Sequence, residues 1–193
     1  MNYSKEEGSF WKRVRLTEYD IIPLNDPLSM MSPEHLAGML SSFSCKKDKD
    51  VERFLHETAV MYEKRHLART YLIFEVGSYK EPVAYFSIAV SSMDTGKMEC
   101  ADALRKKMNI YNDTAQSYLI GQLGKRDGAP KGLGEFAISC AMALITDANK
   151  RVGCRVIRLD CRKPLINYYA KKGFVVIGHD EEKDLYQMVR ILV

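Results

Sequence analysis

Gly121-Gln122-Leu123-Gly124-Lys125-Arg126-Asp127-Gly128-Ala129-Pro130-Lys131-Gly132-Leu133-Gly134-Glu135 is the stretch on which the reading of this chain turns. A β-rich run from Ser117 ends there, a loop rich in Gly and basic residues follows, and apolar residues then recur at helical spacing from Leu133 to about Lys150. A loop between strand and helix start turns successive backbone N–H groups into one concavity, and the helix N-terminus adds roughly half a positive charge. Glycine lacks a Cβ and lets the backbone approach a phosphate closely. Lys125, Arg126 and Lys131 add mobile cations. A pyrophosphate suits such a loop; a plain surface turn joining strand to helix is the alternative. The spacing is neither G-x-G-x-x-G nor G-x-x-x-x-G-K-S/T, which sets aside a Rossmann site and a Walker loop.

The flanks supply a mixed fold. Residues 1–30 read as an N-terminal arm, in which Phe10–Leu16 alternates like one strand before a loop at Pro23 and Pro27. Ser32-Pro33-Glu34 reads as a helix start that carries Leu36, Met39 and Leu40 inward. A second helix begins near Asp48 or Asp50 and aligns Val51, Phe54, Leu55, Thr58, Ala59 and Tyr62. Thr70–Val76 and Val83–Val90 form a hairpin across the turn Gly77–Pro82. A short helix over 99–108, the strand Ser117–Leu123, the long helix, a strand at Val156–Cys161 and a helix at Leu165–Lys172 follow. Gly173 sits where a left-handed C-cap belongs, and Phe174–Gly178 with Leu185–Leu192 closes the chain as a strand pair. That order makes a mixed sheet with helices packed on it, one domain over 31–193 behind the arm.

Composition removes whole classes. At 193 residues, 46% hydrophobic and 28% charged, the chain can bury a substantial core and is neither collagen-like nor disordered. The longest uncharged stretches, Phe136–Thr146 and Val83–Met93, are eleven residues each, whereas a membrane helix needs about 20. Met1–Glu7 is polar and acidic, so no signal peptide is expected. Five widely spaced cysteines lack C-x-x-C spacing, and four scattered histidines show no ligand pattern. Reduced thiols, a cytoplasmic location and no metal are expected. A net charge of +4 permits an anionic partner without requiring one.

A second segment, Asn167-Tyr168-Tyr169-Ala170-Lys171-Lys172-Gly173-Phe174, completes a family pattern. The chain resembles the GNAT-superfamily N-acetyltransferases. Gly132-Leu133-Gly134 is similar to the end of that family's Gln/Arg-x-x-Gly-x-Gly/Ala coenzyme A loop, and Tyr168–Phe174 is similar to its Phe/Tyr-Tyr-x-Lys-x-Gly-Phe signature. Two departures stand out: Ala129 replaces the family's Gln or Arg, and the loop is one residue short. The resemblance spans about Phe43 to the C-terminus and implies an α/β (mixed α+β) GNAT-like fold, a central mixed β-sheet with splayed parallel strands and helices on both faces. Acetyl-CoA would be the cosubstrate, wedged between Leu119–Lys125 and Val156–Cys161. Backbone at Leu123, Gly124 and Lys125 would hold pantetheine and polarise the thioester carbonyl. Lys131, Gly132, Leu133, Gly134 and Glu135 would hold the pyrophosphate, with Asn167 orienting the cofactor. Tyr169 would protonate the departing thiolate, and Tyr168 is its immediate rival.

The acceptor would be the amine of a small molecule, a peptide or an aminoacyl-tRNA. At pH 7 a lysine amine costs about 4.6 kcal/mol to deprotonate and an α-amine about 1 kcal/mol. Ser117–Leu123 carries no carboxylate, while Glu75, Glu99 and Asp102 read as solvated charges, which favours an α-amine. Phe43-x-Cys45, Asp50-Val51-x-x-Phe54-Leu55 and Ala68–Leu72 are similar to toxin-type GNATs, which acetylate aminoacyl-tRNA. Lys46, Lys47, Lys64, Arg65, Arg69, Arg105–Lys107, Lys150, Arg151, Arg155 and Arg158 are the cations available to a tRNA, or merely solvated helix faces. A noncatalytic module that binds CoA or a protein partner is the rival of another class, and a homodimer is compatible with either. The arm, 91–112 and 180–184 are the segments expected to shape the acceptor pocket.

Overall fold

The computed structural model describes residues 18–96, 98, 102–108 and 114–192. The strand expected at Phe10–Leu16 lies outside those residues. So do Glu99 and parts of 91–112.

Where the sequence suggests a loop around Pro23 and Pro27, the structure has strand β1 (Tyr19–Pro23) and helix α1 (Asn25–Met30). Both prolines are tolerated for local reasons. Pro23 ends an edge strand, and Pro27 lies in a first helical turn, where N–H groups have no partner. Helix α2 (Pro33–Ser41) starts as expected: Ser32 Oγ accepts the His35 N–H at 3.4 Å, and Leu36, Met39 and Leu40 are buried. Helix α3 (Lys49–Arg53) is capped by Asp48, which accepts the N–H groups of Asp50 and Val51 at 3.2 and 3.4 Å. It passes through one wide turn, Phe54–Thr58, into α4 (Ala59–Lys64), and the Ala59 N–H reaches Phe54 O. Tyr85 Oη donates to Val51 O at 2.5 Å, so this carbonyl is shared with a side chain where the helix widens.

Strands β2 (Arg69–Glu75) and β3 (Ala84–Asp94) form the expected hairpin, and α5 (Asp102–Met108) follows. Strand β4 (Thr114–Lys125) leads into α6 (Leu133–Asn149), and β5 (Val156–Cys161) into a 3-10 turn at Lys163–Leu165 and α7 (Ile166–Ala170). Gly173, at φ +83°, ends that segment before β6 (Val175–Asp180) and β7 (Leu185–Ile191). The seven strands lie in the order β1-β2-β3-β4-β5-β7-β6, antiparallel except for the parallel pair β4–β5.

The strand period sorts side chains onto two faces. Ile73, Phe86, Tyr118, Ile120, Ile157 and Leu159 pack with Ala137, Ile138, Ala141 and Ile145 of α6 and with Tyr169 of α7. On the other face Leu72, Phe74 and Tyr85 pack with Leu36, Leu40, Leu55 and Ala59, while α5 closes a smaller cluster around Met93, Val156 and Val189. Helices therefore cover both faces of a mixed sheet, the architecture that the resemblance implied.

Candidate active site

The parallel pair is joined only through Ser117↔Val156, Tyr118↔Ile157, Leu119↔Arg158 and Ile120↔Leu159. Beyond Ile120, β4 continues to Lys125 and β5 to Cys161 without a shared rung, so the β5-facing backbone edge of Gly121–Lys125 has no ladder partner. A bulge causes the divergence. On the opposite edge of β4, Ser87 pairs Gln122 while Ile88 pairs Ile120, leaving Gly121 as the extra residue. A Cβ on Gly121 would stand 3.4 Å from Ser87 Oγ, an ordinary contact.

Gly124 is constrained. A Cβ on it would come within 2.4 Å of Val51 Cγ1, so α3 rests directly on the β4 backbone. Leu123, one residue earlier, turns to the α6 face and is half-buried.

The loop between β4 and α6 is anchored. Arg126 N–H donates to Val83 O and Asp127 N–H to Ser44 O, both at 2.8 Å, and the Asp127 carboxylate accepts the Lys46 N–H. The cations expected to be mobile are mostly engaged. Lys125 Nζ donates to Ala129 O at 2.7 Å and Pro130 O at 3.2 Å, and Arg126 pairs with Glu81. Lys131 is exposed and makes no ion pair among the described residues.

Gly132 takes φ +93° as the residue before α6, and the first intrahelical bond is Phe136 N–H to Gly132 O. The N–H groups of Lys131, Gly132, Leu133, Gly134 and Glu135 make no well-aligned hydrogen bond among the described residues, the turn at 131–132 closing only loosely on the Pro130 carbonyl. These consecutive orphan donors at a helix N-terminus suit a pyrophosphate.

Helix α7 brings the two tyrosines to different places. Tyr169 is 7% exposed, beside Phe174 at a ring distance of 6.0 Å, and its hydroxyl makes no hydrogen bond among the described residues. Burial pushes its phenol well above the ordinary tyrosine range, with smaller contributions from Tyr168 and Cys161 at the end of β5. The phenol stays in its protonated, donor form. Tyr168 turns towards α6: its hydroxyl is buried, 4.0 Å from where a Gly134 Cβ would be, and the Glu135 carboxylate is its nearest polar neighbour. Burial first, and then the Glu135 carboxylate, push this phenol up to about 12. Lys172 Nζ lies 4.5 Å over the Tyr168 ring and pairs with Glu135, placing Glu135 and Lys172 at one wall of the α6 N-terminus. Asn167 is exposed on the first turn of α7.

The far side of the gap holds charges that sequence reasoning does not assemble. Ile157, Leu159 and Cys161 enter the α6-side core, which puts Arg158 and Asp160 on the opposite face. Arg158 Nε and Nη2 donate to the two Asp160 oxygens at 2.9 and 2.8 Å. Arg162 reaches Asp50 at 3.4 Å and Asp48 at 3.9 Å, tying the end of β5 to the α3 start across the gap. Period-two alternation in Val156–Cys161 is the available signal, yet by charge alone Arg158 is one cation among many.

Other features lie elsewhere. Two cavities of about 420 and 270 Å³ share Arg69 and Tyr71 beside β2, and neither is lined by Tyr169 or the α6 N-terminus. Among the described residues no group of three or more His, Cys, Asp or Glu side chains could hold a metal ion, and no helix is long and apolar enough to cross a membrane.

The sequence matches no protein-family model and no curated protein. Solved structures do match. A tyrosine-to-phenylalanine mutant of KacT superposes with a TM-score of 0.69 at 18% identity over 88% of this chain and 94% of that one. AtaT complexed with acetyl-methionyl-tRNAfMet gives a TM-score of 0.67 at 16% identity over 88% and 93%. AtaTR bound with AcCoA gives 0.63 at 17% identity over 88% and 92%. The chain has the GNAT fold, in the form shared with AtaT and KacT.

Proposed function

We propose that this protein is an acetyl-CoA-dependent N-acetyltransferase that acts on a primary amine by direct attack, with Tyr169 as general acid. The observation that carries the reading is the gap between β4 and β5 past Ile120 and Leu159, flanked on one face by both the orphan N–H groups of Lys131–Glu135 and the buried phenol of Tyr169. The parts divide the work by position. Lys131, Gly132, Leu133, Gly134 and Glu135 offer backbone donors to the pyrophosphate. The unladdered edge around Leu123, Gly124 and Lys125 offers donors to pantetheine and to the charge that develops on the carbonyl oxygen. Tyr169, a neutral phenol at pH 7 as any tyrosine is, donates to the leaving sulfur. Asn167 assists at the α7 end.

The finer reading takes the α-amine of an aminoacyl-tRNA as acceptor. It is supported by the likeness to AtaT, whose structure contains acetyl-methionyl-tRNAfMet, over 88% of this chain. An α-amine also needs little help to lose its proton at pH 7, about 1 kcal/mol. The test is thiol release from acetyl-CoA with charged tRNA, peptides and free amines as acceptors. Turnover on charged tRNA that weakens steeply with salt supports the finer reading. Turnover confined to small amines or peptides removes that reading and leaves the transferase. Tight CoA binding without turnover on any amine would instead identify a noncatalytic module.

A further inference from the structure

We propose that Asp160 and Arg158 form the subsite that recognises the acceptor's reacting end: an amine with a carbonyl oxygen beside it, the arrangement of an α-amino ester or amide. This rests on the transferase reading above. The phosphate cradle of α6 and Tyr169 both lie on one face of the sheet, so the cofactor's body and the leaving sulfur occupy that side of the gap. The attacking nitrogen must approach the carbonyl carbon from the other face. There, Asp160 is the first residue of β5 beyond the last rung with β4, at the lip of the opening.

The pair is held rather than free. Arg158 grips both Asp160 oxygens through Nε and Nη2, and the two side chains are 16% and 28% exposed. A carboxylate has about four lone-pair sites, so each oxygen retains one for an incoming N–H. A guanidinium has five donors in a fixed fork, and Nη1 of Arg158 takes no part in the pair, so it is available to a carbonyl oxygen. Arg162 on the same segment, Asp48 and Asp50 at the α3 start, the neutral Gln187 opposite Asp160 on β7, Gln122 and Ser117 of β4, and Ser87 of β3 are further polar groups on this face. A simple alkylamine would use only half of such a subsite.

The reaction balances without further reagents. The acceptor ammonium, bound by Asp160, loses one proton to solvent. Its nitrogen lone pair then forms the C–N bond to the acetyl carbon as the C–S bond breaks. Tyr169 gives its proton to sulfur, and the second nitrogen proton, released as the amide forms, restores the phenol. The net change is one amide, one thiol and one proton from the ammonium and the thioester.

Steady-state acetylation of charged tRNA, alanine methyl ester and propylamine tests the proposal. For Asp160→Asn, acceptor KM should rise at least about tenfold at pH 6.5 while acetyl-CoA KM stays within twofold. The rise should shrink by pH 9, where α-amines are neutral. Arg158→Gln, which loses the carbonyl donor and also frees Asp160, should raise KM for both amines, and at least about fivefold more for the ester than for propylamine. Equal acceptor KM in wild type and Asp160→Asn, or a parallel rise in acetyl-CoA KM, overturns the subsite. If wild type acetylates no amine, the transferase reading fails, and calorimetry of alanine methyl ester binding to the CoA-loaded protein decides the subsite alone. Binding lost in both folded variants supports it; absent or unaltered binding overturns it.

Discussion

Replacing Tyr169 by Phe removes one oxygen and leaves the ring contacts with Tyr168 and Phe174 in place. The hydroxyl has no hydrogen-bond partner among the described residues, so its loss orphans no acceptor, and Tm should stay within about 2 °C of wild type. The kinetic effect follows from the leaving group. A thiol of reference pKa about 8.5 leaves at pH 7 as an anion that is uphill of its protonated form by roughly 2 kcal/mol, 1.36 kcal/mol per unit. A donor at the sulfur recovers that amount, so Tyr169→Phe should lower kcat by about 30-fold at pH 7. The deficit should fade as pH approaches 8.5, where thiolate leaves unaided. Wild type should lose no rate to phenol ionisation across this range, because burial raises the Tyr169 pKa above its ordinary value of 10.0. The assay is thiol release from acetyl-CoA between pH 6 and 9, alongside thermal unfolding. Full activity of Tyr169→Phe at pH 7, coupled with a large loss for Tyr168→Phe, would refute the assignment of the acid.

Three further outcomes are expected. Gly124→Ala should destabilise by about 1–3 kcal/mol through the clash with Val51 Cγ1, and adding Val51→Ala should recover part of it, so the double-mutant cycle in urea should show at least about 1 kcal/mol of coupling. Asp48→Ala should cost about 1 kcal/mol by chemical denaturation, since the α3 cap and an Arg162 contact go together. Ultraviolet titration should place one phenol near 12, assigned to Tyr168 by its absence in Tyr168→Phe. Because that value is raised above the unfolded 10.0, Tyr168 supports the fold fully below pH 10 and loses its contribution as pH rises towards 12.

Much of the cofactor side is legible in local sequence. Leu133 begins α6 and Val156–Cys161 is β5 as expected, because Gly132 interrupts the pattern and the short apolar run is well bounded. Gly173 at positive φ is equally local. Elements that depend on distant partners are hidden or look shorter than they are. Tyr19–Pro23 is a strand because it finds the edge of β2, which no pattern within a proline-punctuated segment reveals. Strands β3 and β4 run longer than their apolar cores because Ser91, Ser92 and Met93 pair with Ser117, Gln116 and Ala115 through backbone bonds indifferent to side-chain polarity.

For the site, the sequence by itself determined which groups are available: a glycine-rich turn, a helix start and two adjacent tyrosines on one short helix. Glycine spacing, capping residues and hydrophobic period are written within a few positions of where they act. Tertiary structure alone decided that β4 and β5 part after Ile120 and Leu159, that Tyr168 faces Gly134 while Tyr169 is buried beside Phe174, and that Arg158 fixes Asp160 on the opposite lip. The physical reason is that a gap between strands results from register, and register is fixed by the packing of residues far apart in the chain, here a bulge at Gly121 set against Ser87.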